Sequence, residues 1–339
     1  MPNQSFPPFE PHPLVRGGHA QTLAGAYLPG LRPSYRARQH QVALGDGDQI
    51  VLHDDCPGGW RPGDRTALMI HGLAGSHESG YMRRIAAKLN DRGVRSFRMD
   101  LRGCGSGAGL ARLPYHSGRS EDAAAALEAI ATLAPDSATT LIGFSLGANI
   151  SLKLLGELES TACGQLDSAV AVCPPVDLAA CSRRISQASN RMYDRHFVSL
   201  LLRQLAERAR LLSDAAGVDL VRRPRSLWEF DNTFTAVVCG FGTADNYYRV
   251  ASSLQFIGRI RIPTLILASR DDPMIPSQAL EQLCPPTEVR IHLTERGGHL
   301  GFLGRAGVDA DRRWMDWRVV DWTLAADRLA VAGGAALAR

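Results

Sequence analysis

The sequence lacks the features that mark membrane, disulfide-bonded and nucleic-acid-binding proteins. No uninterrupted apolar run approaches the roughly 18 residues of a membrane span, and the proline-rich first residues contain no apolar run typical of a signal peptide. The seven cysteines are scattered singly without a Cys-x-x-Cys pair, which argues against a disulfide framework or a zinc ribbon. The net charge of +4 is small for 339 residues, so no nucleic-acid partner is expected. We therefore expect a cytoplasmic protein without a stable membrane anchor.

The stretch from Thr139 to Leu158 predicts a strand, a sharp turn and a helix. Its first residues are apolar and β-branched, as in a buried strand, and its second half has apolar residues at helical spacing. Between them lies Gly143-Phe144-Ser145-Leu146-Gly147, which fits the Gly-x-Ser-x-Gly pattern of a nucleophile elbow. A serine on such a turn has a strained backbone, and the chain passes so close to it that Gly143 and Gly147 must lack side chains. The pattern predicts Ser145 as a nucleophile.

A second buried strand, Thr66 to Ile70, leads into His71-Gly72-Leu73-Ala74-Gly75-Ser76. A glycine directly after a strand end lets the following backbone N–H groups point into a site, where they can stabilise an oxyanion. We expect the oxyanion hole to consist of the N–H groups of Leu73 and Leu146. His71 is interpreted as a residue that shapes this loop rather than as a general base.

Two later strands end in the acid and the base that a serine nucleophile requires. A serine hydroxyl needs an imidazole to accept its proton and a carboxylate to orient that imidazole. The strand Pro263 to Ala268 is followed by Asp271 and Asp272, and the strand Val289 to Leu293 is followed by His299, in the chain order expected after an elbow serine. Both acids are candidates, and Asp272 is favoured because a proline follows it four residues later.

Several other polar residues are interpreted as structural. His116 precedes the nucleophile in the chain, and His292 lies within a strand, so neither fits the expected order. The group from His19 to Leu23 is interpreted as a helix start or a set of loop hydrogen bonds. Ser120 could cap the helix that follows it.

Gly103, Gly105 and Ala108 match the loose dinucleotide-binding pattern G-x-G-x-x-G/A. That pattern should open a helix that receives a pyrophosphate, but further glycines and Pro114 follow, which are typical of a loop. We reject a nucleotide site here, and no metal or other cofactor is expected.

A set of short motifs spans residues 19–302: His19-x-Gln21-Thr22, His71-Gly72-Leu73-x-Gly75-Ser76, Arg102-Gly103-Cys104-Gly105, Tyr115-His116-Ser117-Gly118, Gly143-Phe144-Ser145-Leu146-Gly147-Ala148-Asn149, Phe230-Asp231, Tyr247-Tyr248, Asp271-Asp272-Pro273 and Gly297-Gly298-His299-Leu300-Gly301-Phe302. In this combination the chain resembles the YheT-like esterases of the α/β-hydrolase superfamily. The resemblance implies a Ser–Asp–His hydrolase of acyl esters, with the triad on Ser145, Asp272 and His299. Animal relatives include phospholipid-cleaving members with an N-terminal membrane anchor, which is not expected for this chain.

The predicted architecture is an α/β-hydrolase fold, a mostly parallel central sheet with helices on both faces and an inserted helical cap. Residues 34–176 and 262–339 would form the core, residues 177–261 the cap, and residues 1–33 a segment that wraps the surface. Alternating residues from Gln39 to Leu52 predict an antiparallel hairpin, and Phe197 to Leu212 a helix.

The sequence thus predicts a carboxylesterase-type serine hydrolase that acts on a small-molecule acyl ester through an acyl-enzyme. Three alternatives stay open at this point. The protein could be a lipase or phospholipase acting on acyl glycerides, it could cleave thioesters or amides with the same residues, or it could be a non-catalytic binding protein with the same fold. The oligomeric state does not follow from the sequence.

Overall fold

The computed structural model describes residues 5–28, 30, 34–212 and 223–337, with side chains as far as residue 326. The predicted surface-wrapping segment 1–33 and the predicted cap 177–261 are therefore described in part. Within the described residues, no helix is long and apolar enough to cross a membrane.

Eight strands form one sheet in the order β1-β2-β4-β3-β5-β6-β7-β8. Their bounds are β1 Arg38–Ala43, β2 Gln49–Asp55, β3 Thr66–Ile70, β4 Arg95–Asp100, β5 Thr139–Phe144, β6 Leu166–Val172, β7 Thr264–Ser269 and β8 Val289–Thr294. Strand β2 is antiparallel to β1 and β4, and all other neighbours are parallel. The predicted hairpin and the predicted mostly parallel sheet are both confirmed.

Helices cover both faces of the sheet, because alternate residues of each central strand point to opposite sides. The helices are α1 Gly18–Tyr27, α2 Gly80–Asn90, α3 Ser120–Leu133, α4 Leu146–Leu158, α5 Leu178–Ile185, α6 Arg191–Leu211, α7 Leu227–Phe230, α8 Ala236–Val238, α9 Ala244–Ala251, α10 Gln278–Glu281 and α11 Trp314–Leu337. Leu68 and Ile70 of β3 join a buried cluster with residues of α3 and α4. Met69, between them, joins a second cluster with residues of α2 and α11. The predicted fold class is confirmed.

The segment between β6 and β7 is mainly helical wherever it is described. It contains α5 to α9, and a turn of π-helix, Asp231–Thr235, connects α7 to α8. Helix α6 begins at Arg191, earlier than the predicted start at Phe197. Four buried side chains of α6 and of the α7 region form an apolar cluster, Leu201, Leu205, Phe230 and Phe234.

One predicted helix cap is wrong. Ser120 is the first residue of α3, and Arg119 occupies the N-cap position without a capping hydrogen bond from its side chain. The Ser120 hydroxyl instead donates to Glu157 Oε2 at 2.5 Å and accepts from Lys153 at 2.9 Å. These charged groups of α4 compete successfully with the helix end for the hydroxyl, because hydrogen bonds to ionised groups are the stronger ones.

Candidate active site

Ser145 lies on a sharp turn between β5 and α4, with φ 51° and ψ −117°. This positive φ is uncommon for a residue with a side chain. A Cβ atom on Gly143 would lie 2.6 Å from Ala148 Cα, and one on Gly147 would lie 2.6 Å from the His71 carbonyl oxygen. Both approaches are closer than real Cβ contacts. The two glycines therefore lack side chains for the steric reason predicted, and the atoms that a side chain would meet belong to α4 and to the end of β3.

His299 connects the Ser145 hydroxyl to a buried carboxylate. Its Nε2 atom lies 2.9 Å from Ser145 Oγ, and its Nδ1 atom lies 2.7 Å from Asp272 Oδ2. The second carboxylate oxygen of Asp272 accepts the backbone N–H groups of Met274 and Ile275. These bonds fix the carboxylate, which favours the tautomer of His299 with its proton on Nδ1 and a free electron pair on Nε2, the atom that faces Ser145.

The two neighbouring acids hold different parts of the same loop. Asp271 Oδ1 accepts the backbone N–H of Gly298 at 2.8 Å, whereas Asp272 contacts the ring of His299. Of the two candidates left open by the sequence, Asp272 is therefore the one that contacts the imidazole.

Helix α1 packs directly against the loop that carries His299, a contact that the sequence does not predict. Thr22 Oγ1 accepts the backbone N–H of His299 at 2.9 Å. The buried side chain of Gln21 pairs with Leu303, accepting its N–H at 2.7 Å and donating to its carbonyl at 3.1 Å. A Cβ on Gly298 would lie 2.8 Å from Thr22 Oγ1, so the loop approaches the helix as closely as glycine allows. A helix at these residues was one of the two interpretations. The pair Gln21-Thr22 in the first motif singles out these residues, but it does not indicate their partner.

The loop after β3 lies beside Ser145, since a Cβ on Gly72 would be 3.1 Å from Ser145 Cβ. The Gly72 carbonyl accepts from His71 Nδ1 at 2.7 Å and from the Gly75 N–H at 3.0 Å. This carbonyl and the N–H of Leu73 belong to one trans peptide group and point in opposite directions. Holding the carbonyl therefore fixes the direction of the Leu73 N–H.

His71 is completely buried, and burial lowers its pKa. Its Nε2 atom accepts the N–H of Leu101 at 3.2 Å, so the neutral ring has its proton on Nδ1, the atom that donates to Gly72. These contacts place His71 in the support of the loop, as interpreted from the sequence.

Two backbone N–H groups next to Ser145 are available to a ligand. Among the described residues, neither the N–H of Leu73 nor that of Leu146 donates to a protein acceptor. Leu146 is the first residue of α4, where N–H groups lack partners within the helix and where negative charge is favoured. Such a pair can stabilise an anion formed at the serine.

Ser145 and His299 are shared by two cavities. The larger of the two, of about 590 Å³, has Tyr27, Leu28 and Tyr81 among its lining residues. The smaller, of about 90 Å³, is lined mainly by apolar side chains, among them Leu146, Pro175, Leu178, Ile185 and Met274. A third cavity of about 230 Å³, mostly apolar, is lined by His299 and by Met192 and Tyr193 of α6. The site therefore has more than one cavity that can receive an apolar group.

Two groups of side chains in the described residues have the composition of metal ligands: Cys173, Asp272 and His299, and His53, His77 and Asp100. Burial raises the pKa of the Cys173 thiol well above its usual value, which disfavours the thiolate that a metal needs. In the second group both imidazoles bond to the same oxygen of Asp100, at 2.9 and 2.8 Å. Asp100 also accepts the backbone N–H groups of His77 and Ser106. Both groups fit hydrogen-bonded networks better than metal sites.

The two histidines interpreted as structural contact residues other than Ser145 and Asp272. His116 accepts the N–H of Gly118 at 3.1 Å and packs edge-on against Phe241, and burial lowers its pKa well below the usual value. His292 packs against Phe6 and Trp314.

The rejected dinucleotide pattern forms a short turn of 3-10 helix, Gly105–Gly107, and then a loop. Arg102, at its start, binds the carboxylates of Asp122, Asp46 and Asp48 at 2.6 to 2.8 Å. This ion cluster joins the loop to the start of α3 and to the β1–β2 turn.

Comparison with known proteins identifies a family that this chain resembles over most of its length. Residues 68–306 match the family model described as the alpha/beta hydrolase fold. The chain is 32% identical to "Putative esterase YheT" of Escherichia coli over 90% of this chain and 89% of that protein. It is 28% identical to the phospholipase ABHD3 of Mus musculus over 84% of this chain and 70% of that protein.

Among solved structures, an esterase from Pyrococcus furiosus has a similar fold. The TM-score is 0.54 at 16% identity, and the match covers 86% of this chain and 95% of that one. Together with the sheet order and the match over most of its length, these similarities show that the chain belongs to the α/β-hydrolase family, in the group that includes YheT.

Proposed function

We propose that this protein is a carboxylesterase-type serine hydrolase that cleaves acyl esters through an acyl-enzyme intermediate. The observation that supports this most strongly is the unbroken hydrogen-bonded chain from Ser145 Oγ through His299 to Asp272, at 2.9 and 2.7 Å. In the proposal Ser145 is the nucleophile, His299 the general base and acid, and Asp272 the residue that orients His299.

The reaction uses these residues in two half-reactions. Ser145 Oγ bonds to the ester carbonyl carbon while its proton moves to His299 Nε2, and the carbonyl electrons move onto the oxygen. The N–H groups of Leu73 and Leu146 stabilise this oxyanion, and each donor is worth about 100- to 1,000-fold in rate. The ester C–O bond then breaks, and the leaving alcohol takes the proton from His299. Water repeats the sequence on the acyl-enzyme and releases the acid.

The names of the relatives support an ester as the substrate. YheT is named an esterase and ABHD3 a phospholipase. A further relative from Saccharomyces cerevisiae, 28% identical over 85% of this chain and 64% of that protein, is named a monoacylglycerol lipase. We further propose that the segment 177–261, which is mainly helical where it is described, acts as a cap, because Leu178, Ile185 and Phe197 line the cavities at Ser145.

A lipase or phospholipase acting on acyl glycerides is the second candidate. The specific observation in its favour is the mostly apolar cavity of about 230 Å³ beside His299, which offers space for an acyl chain. Activity that rises with acyl-chain length would favour this candidate, and a maximum at short chains would favour a general esterase.

The test is hydrolysis of p-nitrophenyl esters from acetate to palmitate by wild type, Ser145→Ala and the control Ser106→Ala. Ser106 is an exposed serine outside the cavities described above. Loss of Ser145 should lower kcat by several orders of magnitude, whereas Ser106→Ala should retain wild-type kinetics. Turnover by Ser145→Ala at the wild-type rate would refute the proposal. A wild type that neither hydrolyses these esters nor forms a covalent adduct with a fluorophosphonate would support a binding protein instead.

A further inference from the structure

The Tyr115 hydroxyl connects the loop beside Ser145 to helix α6. It accepts the backbone N–H of Ala74 at 3.0 Å and donates to Gln204 Oε1 of α6 at 3.2 Å. Burial raises the pKa of Tyr115 well above its usual value, so the hydroxyl stays protonated at neutral pH. It can therefore accept from the loop and donate to the helix at the same time.

The bonded N–H of Ala74 belongs to the peptide group directly after the one that contains the Leu73 N–H. The peptide group directly before the one that contains the Leu73 N–H is held in the same way, because its N–H, that of Gly72, donates to the Tyr81 hydroxyl at 2.9 Å. Two tyrosine hydroxyls thus hold the peptide groups on either side of the one that contains the Leu73 N–H. Ala74 has a φ of 55°, which a residue with a side chain adopts only where surrounding contacts enforce it.

Side-chain packing reinforces this connection. Leu73 and Tyr115 both pack against the apolar cluster of Leu201, Leu205, Phe230 and Phe234. Helix α6 supplies two members of that cluster as well as Gln204, so one helix supports the loop through a polar contact and through apolar contacts. A displacement of α6 would change both sets of contacts together.

We propose that Tyr115 is a positioning residue that orients the Leu73 N–H toward the oxyanion. Because Tyr115 also bonds to Gln204, this orientation depends on the position of α6. The inference rests on the proposed function, in which that N–H stabilises the tetrahedral intermediate. In this role the tyrosine of the Tyr-His-Ser-Gly motif contributes to the reaction although it does not contact the reacting atoms.

The experiment compares wild type with Tyr115→Phe and Gln204→Met. Tyr35→Phe is the control, because the Tyr35 hydroxyl bonds to His53 Nδ1 at 2.6 Å and Tyr35 lines a different cavity, with Asp55 and Arg98. For each protein, kcat and KM are measured on one p-nitrophenyl ester. The affinity for an alkyl boronic acid is also measured, since boronates add to an active serine as tetrahedral anions that need the same N–H donors.

Tyr115→Phe should lower kcat about 10- to 100-fold and change KM by less than about threefold. Its boronate affinity should fall by the same factor as kcat/KM, because both depend on stabilising the oxyanion. Gln204→Met should change the same quantities in the same direction but less, and Tyr35→Phe should keep wild-type values.

Wild-type kcat and boronate affinity in Tyr115→Phe would overturn the inference and leave the proposed function intact. A loss in kcat that is fully explained by a smaller fraction of folded protein would also overturn the inference, and so would an effect on KM alone. Both results are expected if Tyr115 has only a structural role. If Tyr115→Phe does not fold, the split between kcat and KM in Gln204→Met decides. A wild type that neither turns over ester nor binds boronate would refute the proposed function itself, and this inference with it.

Discussion

The ring of His299 and the backbone of the residue before it are bound by two consecutive carboxylates. Asp272 accepts from His299 Nδ1 at 2.7 Å, and Asp271 accepts from the Gly298 N–H at 2.8 Å. The two acids therefore have different partners, which the sequence of the dipeptide does not show. Asp272 contacts the imidazole ring, and Asp271 holds the loop that carries the ring.

Replacing Asp272 by Asn should therefore be far more damaging than replacing Asp271 by Asn. An amide at position 272 can bind the wrong tautomer of His299, and the corresponding change in a serine protease triad lowers kcat by about 10,000-fold. Asp271→Asn keeps a carbonyl oxygen that can accept from Gly298, so we expect at most about a tenfold loss. Steady-state kinetics on a p-nitrophenyl ester measure both values. Equal losses in the two variants would contradict the assignment of Asp272 to the imidazole.

The contact between Thr22 and His299 gives a second prediction. Thr22→Val preserves the shape of the side chain and removes the acceptor of the His299 N–H, leaving a buried donor without a partner. The free energy of unfolding should fall by about 1 to 3 kcal/mol, and kcat should fall about tenfold because the imidazole is less well placed.

Thr132→Val is the matched control, since the Thr132 hydroxyl bonds to a carbonyl of its own helix at an exposed position. Urea denaturation and kcat are measured for both variants. An effect of Thr22→Val on stability and kcat no larger than that of Thr132→Val would show that helix α1 has no part in positioning His299.

The close approach of the elbow to β3 predicts a strong effect of a single methyl group. Gly147→Ala would place a Cβ 2.6 Å from the His71 carbonyl oxygen, a backbone atom that cannot move aside without shifting the loop after β3. We expect a destabilisation of about 3 kcal/mol, with loss of activity in any folded fraction. Gly45→Ala is the control, because a Cβ there would meet no atom within 4 Å. Equal melting temperatures of the two variants would contradict the close packing of the elbow against β3.

Asp231 predicts a pH-dependent stability. Its buried carboxyl binds Tyr248 and Thr235, and burial raises its pKa from 3.8 to about 6. An acid with a raised pKa stabilises the fold most below its unfolded pKa, and this contribution is lost as the pH rises through about 6. The full loss corresponds to about 3 kcal/mol.

Asn at this position imitates the protonated acid. Asp231→Asn should therefore match wild type near pH 4 and be more stable by up to about 3 kcal/mol above pH 7. Urea denaturation at both pH values measures the difference. A stability difference between variant and wild type that does not change with pH would refute the raised pKa.

The elbow and the strand-end residues could be predicted from the sequence because their signals are local. The glycines around Ser145 reflect contacts within a few residues and with the neighbouring strand, and each of Asp272 and His299 follows its own apolar strand. Parallel strands then bring their carboxyl ends to one edge without any further information from the sequence.

The support of the site could not be predicted in the same way. Thr22 and His299 are 277 residues apart, and neither a hydroxyl in a helix nor the glycines of the His299 loop reveal which partner they meet. The Tyr115–Ala74 contact is similarly non-local. The prediction that Ser120 caps α3 is wrong because Lys153 and Glu157 of α4 bind its hydroxyl. This tertiary contact overrides the local preference of serine for a helix N-terminus.

Covalent labelling tests whether Ser145 is a reactive nucleophile. In the reaction with a fluorophosphonate, Ser145 Oγ bonds to phosphorus, fluoride leaves, and His299 takes the hydroxyl proton. We expect mass spectrometry of the digested wild type to find one stoichiometric adduct, on the peptide that contains Ser145, and His299→Ala to label at least about 100-fold more slowly. Absence of an adduct on the folded wild type would contradict the role of Ser145 as nucleophile, and labelling of His299→Ala at the wild-type rate would contradict the role of His299 as its base.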